Sequence, residues 1–349
     1  MQILSIFYDN IGIGRALILG DSGKTYNTNV DLEMNKAWCS CDSYVYNKDK
    51  ACKHISYLLM NLEFDKMVNK IDSLDKLSTG SDTIDKLLGG GIPYGTITTI
   101  FGEPKCGKSM LAYQVGIANI DKTNLKTLYI DTEGIRKQDF FSIINKFNSR
   151  YNVPPKELTD KFQYITSLAD LKLKSIQKLF QIFGFLPMIE MSKGGRYTVQ
   201  FETCAPTIKE EEWKNYSMII IDSMTAPLKM AIGSSTANLP TRAQFTERLF
   251  GLLIEIAMRH NIAVIVNHHA SVDPMNLFGR DFGKAWGGDP ILYNSKYALL
   301  ILDADAKTRK ETNWNHEARR VMLIRRPDEQ DTNQKYPVRL MKDYGYTDK

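Results

Sequence analysis

Phe101-Gly-Glu-Pro-Lys-Cys-Gly-Lys-Ser109 is the stretch that decides the reading of this chain. An apolar run, Thr96-Ile-Thr-Thr-Ile100, precedes it, and a helix-like run, Met110-Leu-Ala-Tyr-Gln-Val-Gly-Ile117, follows. The order predicts strand, glycine loop and helix, with Gly102, Gly107, Lys108 and Ser109 at the spacing of a phosphate-binding loop. Glycines let the backbone close round an anion, so that successive N–H groups point inward. The new helix presents its positive end to the same place. Lys108 would reach the β- and γ-phosphates and Ser109 would hold Mg²⁺. Glu103, Pro104, Lys105, Cys106 and Met110 complete the candidate nucleotide site. A chance glycine turn is the alternative, and it leaves the flanking strand and helix unexplained.

The chain has 349 residues, enough for one large α/β domain and a small module. With 43% hydrophobic and 24% charged residues it can build a sizeable core. A net charge of +5 is compatible with a nucleic-acid partner without demonstrating one. No segment is apolar for long enough to span a membrane, so no membrane partner is expected. Asp9, Asn10 and Arg15 interrupt the hydrophobic N-terminus, which does not read as a signal peptide. The five cysteines are few and clustered, which favours a reduced, cytoplasmic protein.

Three of those cysteines fall beside a histidine: Trp38-Cys39-Ser-Cys41, then Cys52-Lys-His54. Three thiolates and one imidazole suit a closed tetrahedral Zn²⁺ site. Free thiols or a Cys39–Cys52 disulfide are the alternatives, and a disulfide leaves His54 and Cys41 unexplained. Before the cluster, Gly14–Leu19 and Thr25–Leu32 read as a hairpin around Gly20-Asp-Ser-Gly23. After it, Ile55–Leu62 reads as a short helix. The spacing resembles the SWIM zinc finger over residues 10–62, a module that binds DNA or protein. Residues 1–64 are therefore expected to form the zinc module, 65–76 a charged helical linker and 77–349 the second domain.

From Leu77 onward, apolar strand-like runs alternate with longer helix-like ones, which predicts a mainly parallel sheet flanked by helices. Strands are expected at 96–101, 125–131, 162–166, 217–222, 262–267, 297–302, 319–325 and 336–341. The second strand ends in Asp131-Thr-Glu133-Gly134. Hydrolysis needs a carboxylate to orient water in line with the departing phosphate, and Glu133 is the candidate. Met218-Ile-Ile-Ile-Asp222-Ser223 is an apolar strand ending in a carboxylate, which fits the Walker B role of assisting Mg²⁺ at Asp222.

Together these motifs resemble the RecA/RadA recombinase family, in its archaeal RadA-like branch. The likeness runs from Leu77-Ser-Thr-Gly-Ser81 and Ile84-Asp-Lys-Leu-Leu-Gly-Gly-Gly-Ile92 through the P-loop, Asp131–Gly134 and Asp222-Ser223. It continues through Thr241-Arg-Ala-Gln244 and Ala263-Val-Ile-Val-Asn-His268 to the closing Val338–Tyr346. It implies an α/β, RecA-type P-loop ATPase core that hydrolyses ATP with Mg²⁺. Catalytic roles fall to Lys108, Glu133 and His268, the last standing where recombinases carry a glutamine that senses the γ-phosphate. It also implies a role in recombinational repair as a RadA paralogue, with single-stranded DNA and a RadA-type recombinase or another paralogue as partners. A competent strand-exchange recombinase, a nucleotide-dependent scaffold and a clock-type signalling ATPase remain as alternatives.

In that family two loops contact DNA. Here they correspond to Lys229–Pro240 followed by Arg242, and to Ser271–Asp289 with Phe278, Arg280, Phe282, Lys284 and Trp286. Basic residues can neutralise phosphates while aromatic rings stack on unpaired bases. Arg242, Arg280, Lys284 and Trp286 are the candidate DNA-binding residues, and a lid packed on its own protein is the alternative. Residues 186–204 read as an inserted hairpin turning at Gly194-Gly195, with Lys193 and Arg196 at its tip. Phe64-Asp-Lys-Met67 is a poor copy of the linker motif by which filament-forming relatives assemble. Arg325-Arg326-Pro327-Asp328 lies near where relatives reach a neighbour's ATP. The expectation is a limited homo- or hetero-oligomer.

Overall fold

The computed structural model describes residues 2–8, 13–31, 36–46, 52–58, 76–151, 153–167, 172–192, 194–233, 235–271, 284–286, 289–327 and 334–348. The chain divides into two units, Met1–Leu74 and Asp75–Lys349.

The first unit is a four-stranded antiparallel meander, β1 (Gln2–Tyr8), β2 (Ile13–Leu19), β3 (Thr25–Asp31) and β4 (Lys36–Cys39). The expected hairpin is β2–β3, turning through Gly23 at φ +76°. Strands β1 and β4 were not foreseen. The expected helix is present over 53–58, and residues 59–62 lie outside the described residues. The core of this unit is small: Ala16, Ile18, Ile55 and Leu58 pack with Cys39, Cys41 and Cys52. The expected linker, apart from Lys76, and Phe64–Met67 also lie outside the described residues.

In the second unit a two-stranded ribbon of β5 (Lys76–Leu77) and β6 (Ile92–Pro93) precedes the main sheet. The main sheet contains β7 (Ile97–Gly102), β8 (Lys126–Asp131), β9 (Phe162–Thr166) and β12 (Tyr216–Asp222). It also contains β13 (Ala263–Ser271), β15 (Tyr297–Asp303), β16 (Ala318–Arg325), β17 (Tyr336–Met341) and β18 (Gly345–Thr347). Their spatial order is β18-β17-β16-β15-β7-β13-β12-β8-β9, and β14 (Lys284–Ala285) pairs with β13. Every pair from β9 to β15 is parallel, and β15 through β18 are antiparallel. The eight expected strands are all present, and β18 is the one that sequence reading missed. β12 is buried along its whole length, which is why Met218–Ile221 reads as an unbroken apolar run.

The expected hairpin is β10 (Phe185–Met191) with β11 (Tyr197–Thr203), a separate ribbon turning through Gly195 at φ +72°. Ile189, Tyr197, Val199 and Phe201 pack against the main core, while Met191 stays exposed. Among the described residues, no helix is long and apolar enough to cross a membrane.

Candidate functional site

β7 lies between β13 and β15, and its chain leaves the sheet at Gly102 to start the phosphate loop. A Cβ on Gly102 would sit 2.0 Å from the Ile301 carbonyl oxygen, so only glycine lets the loop leave here. Gly107, at φ +102°, caps the helix Lys108–Thr123. Lys108 is buried, and its ammonium donates to the carbonyls of Gly102 (3.2 Å) and Glu103 (2.8 Å). These neutral oxygens hold the cation where stronger anionic acceptors would replace them. Lys108 therefore fits a phosphate ligand. The Cys106 side chain is buried under the loop, and burial raises its thiol pKa.

Asp222 closes β12 beneath the loop and is almost fully buried. Its carboxylate accepts hydrogen bonds from Ser109, from Tyr129 at 2.6 Å and from Asn267 at 2.9 Å. Burial raises its pKa, and these donors work against the rise. The paired hydroxyl and carboxylate of Ser109 and Asp222 are hard oxygen donors, a set that fits Mg²⁺.

Asp131 turns its carboxylate back on its own chain, accepting from the Glu133 and Gly134 N–H groups at 3.0 Å and from the Tyr164 hydroxyl at 2.6 Å. That cap aims Glu133 at the mouth of the loop. Glu133 Oε1 accepts from Ser223 Oγ at 2.8 Å and lies 3.1 Å from His269 Nε2. The His269 hydrogen bond holds the Glu133 pKa below its ordinary value despite burial, with Ser223 and the Lys108 charge acting the same way. An ionised carboxylate in this place can orient a water.

Lys108, Ser109, Glu133, Asp222 and His269 line one cavity of about 670 Å³. Its other walls come from Pro104, Lys105, Gly107 and Met110, from His316, Glu317 and Arg319, and from Leu340, Met341 and Lys342. The predicted nucleotide residues thus converge, apart from the Cys106 side chain beneath the loop.

His268 requires a correction. Its ring is 1% exposed, stacks on Phe250 with centroids 6.1 Å apart, and has no partner for Nε2 among the described residues. Burial lowers its pKa to about 3. Successive strand residues face opposite sides of a sheet. Asn267 and His269 therefore face Asp222 and Glu133, while His268 faces the helix Leu239–His260. His269 is the histidine of the site. Its strand is apolar on both faces, so its phase was not readable from sequence.

Of the candidate DNA residues, Arg280 lies outside the described residues, as does the Lys284 side chain. Trp286 is half-buried, with Lys229 Nζ 5.0 Å and the Arg242 guanidinium 4.9 Å from its ring centre. Arg242 is 5% exposed and donates to the Ser235 carbonyl at 3.1 Å, so it braces the first loop from inside. The Trp286 N–H donates to the His269 carbonyl at 2.8 Å, which ties the second loop to the strand carrying His269. Arg325 donates to the Leu292 carbonyl, and Arg326 to those of Lys86 and Leu87, so both guanidiniums serve their own chain.

In the N-terminal unit the ligand atoms of Cys39, Cys41, Cys52 and His54 lie within 4.8 Å of one another, all buried. All the cysteines are free. His54 Nδ1 is 3.7 Å from Cys39 Sγ and 4.0 Å from Cys52 Sγ. Ligands on one tetrahedral zinc stand about 3.5–4 Å apart, so the cluster fits that ion. Tyr26 stacks on the imidazole at 4.3 Å and fixes its plane.

A Rad51 family model matches residues 70–182. The chain is 26% identical over 246 residues to a DMC1 meiotic recombination protein homolog of Arabidopsis thaliana, covering 69% of this chain and 62% of that one. It is 28% identical over 235 residues to the DNA repair and recombination protein RadA of Ignicoccus hospitalis, covering 64% and 61%. RadB of Methanococcoides burtonii is 24% identical over 245 residues, covering 70% of this chain and 91% of the relative. The chain thus spans about three fifths of the DMC1 and RadA relatives. A crystal structure of the RadB recombinase shares the fold, with a TM-score of 0.53 at 22% identity, covering 78% of this chain and 99% of that one. These likenesses relate the P-loop core to the Rad51/RecA recombinases.

Proposed function

We propose that the protein is a Mg²⁺-dependent ATPase that binds single-stranded DNA and assists recombinational repair as a RadA paralogue. The observation that carries this reading is the convergence of Lys108, Ser109, Asp222 and Glu133 on one cavity. The likeness to RadA, RadB and DMC1 supports the assignment to recombination and repair.

In this reading the loop N–H groups and Lys108 hold the β- and γ-phosphates, and Ser109 with Asp222 holds the metal. Mg²⁺ supplies neutralisation of phosphate charge when bound. Glu133, kept ionised by His269 and Ser223, orients water for attack on the γ-phosphate. His269 stands between the catalytic carboxylate and Trp286, so it is the residue through which loop and active site would communicate. Cys39, Cys41, Cys52 and His54 hold a structural Zn²⁺. The partners are single-stranded DNA and a RadA-type recombinase or paralogue in a homo- or hetero-oligomer, and the compartment is the cytoplasm.

The reading is tested by hydrolysis assays on the full chain with Mg²⁺ and single-stranded DNA, with Lys108→Ala as the blank. Phosphate release that requires Lys108 and rises with DNA supports it. Nucleotide binding without phosphate release replaces it with a scaffold.

A further inference from the structure

We infer that Tyr346, on the last strand, is a positioning residue for the phosphate loop, acting with Arg319 through the Cys106 carbonyl. This rests on the loop being the ATP site.

The Tyr346 hydroxyl donates to the Cys106 carbonyl at 2.9 Å. Arg319 Nε donates to the same oxygen at 3.2 Å. In a trans peptide the C=O of one residue and the N–H of the next lie in one rigid plane and point opposite ways. Two donors holding the Cys106 oxygen outward therefore aim the Gly107 N–H inward, where phosphate oxygens would lie.

The support is itself rigid. Tyr346 is fully buried, and burial keeps its phenol protonated as a donor. Its N–H donates to Gln114 Oε1 at 2.6 Å, and its carbonyl accepts from Gln114 Nε2 at 3.0 Å and from Arg150 at 2.6 Å. Gln114 belongs to the helix that begins at Lys108, so one residue grips both the loop and the helix it opens. A Cβ on Gly107 would meet Leu340 Cδ2 at 2.4 Å and the Tyr346 hydroxyl at 2.6 Å. The last two strands are thus in direct contact with the loop. Asp348 completes the tie by accepting from Ser81 Oγ at 2.6 Å and the Thr83 N–H at 3.0 Å, at the start of the same unit.

The test uses the full chain and Tyr346→Phe, which keeps the ring and removes one donor. Binding of fluorescent ADP with Mg²⁺, steady-state ATP hydrolysis and the thermal midpoint are measured together. We expect the ADP Kd and the ATP KM to rise about three- to tenfold, the effect of one lost hydrogen bond. kcat should stay within about twofold, because the loop binds ground and transition states alike. A lowered thermal midpoint with unchanged Kd and KM makes Tyr346 a packing residue and overturns the inference. Failure of the unmodified chain to bind ADP or ATP overturns the ATP-site reading, and this inference with it.

Discussion

His269 Nε2 lies 3.1 Å from Glu133 Oε1, and the pair bridges over β12 from the ends of β13 and β8. Ser223, at the end of β12, donates to the same carboxylate oxygen from below. Three neighbouring parallel strands thus deliver their C-terminal ends to one carboxylate, the place where open α/β sheets put their ligands.

Glu133→Gln should lower ATP turnover by about 10²- to 10⁴-fold, the range for a lost general base. Nucleotide affinity should change little. His269→Ala should slow turnover less, because Ser223 still holds the carboxylate. Single-turnover phosphate release beside a binding titration separates the two effects. Equal turnover by Glu133→Gln and the unmodified chain would move the water-orienting role elsewhere.

His268 gives a pH-dependent stability. Burial keeps it neutral in the fold with a pKa of about 3, whereas its ordinary value is 6.5. The unfolded chain takes up a proton below pH 6.5 and the folded chain does not. Its contribution is fully present above pH 6.5 and is lost as pH falls towards 3, with a slope approaching about 1.4 kcal/mol per pH unit. His268→Leu should remove that slope in urea unfolding between pH 7 and pH 5. Parallel slopes in variant and parent would show that His268 titrates normally.

The N-terminal unit should depend on metal. Its core is a handful of apolar residues around the cysteine cluster, too few to be stable alone. Chelation or Cys52→Ala should abolish its β-sheet signal and leave ADP binding by the core intact. Elemental analysis of the pure protein should find one zinc per chain. Its absence would end the zinc assignment.

Trp286 and Arg242 should behave differently towards single-stranded DNA. Trp286 can leave its place between Lys229 and Arg242 to stack on a base, a contact worth about 1–3 kcal/mol. Trp286→Ala should therefore weaken binding about tenfold or more. Arg242 is buried, so Arg242→Ala should lower stability and leave the salt dependence of binding nearly unchanged. A flattened salt slope in Arg242→Ala would place its charge on the DNA instead.

The parts of this protein legible in sequence are those whose physics is local. A glycine loop between strand and helix, carboxylates at strand ends and a cysteine–histidine spacing each announce themselves within a few residues. The β13 phase was hidden because Val264, Ile265 and Val266 are buried on both faces, which erases the alternation separating His268 from His269. Tyr346 was read as a family ending, since its contact with Cys106 spans 240 positions. Arg242 was read as a DNA contact because sequence does not reveal that helix packing takes its charge inside.

The central claim is one coupled site for ATP and DNA. ATP hydrolysis is therefore measured first with and without single-stranded DNA, for the full chain and for Lys108→Ala. The account predicts DNA-stimulated phosphate release that Lys108→Ala abolishes. Hydrolysis indifferent to DNA would contradict it.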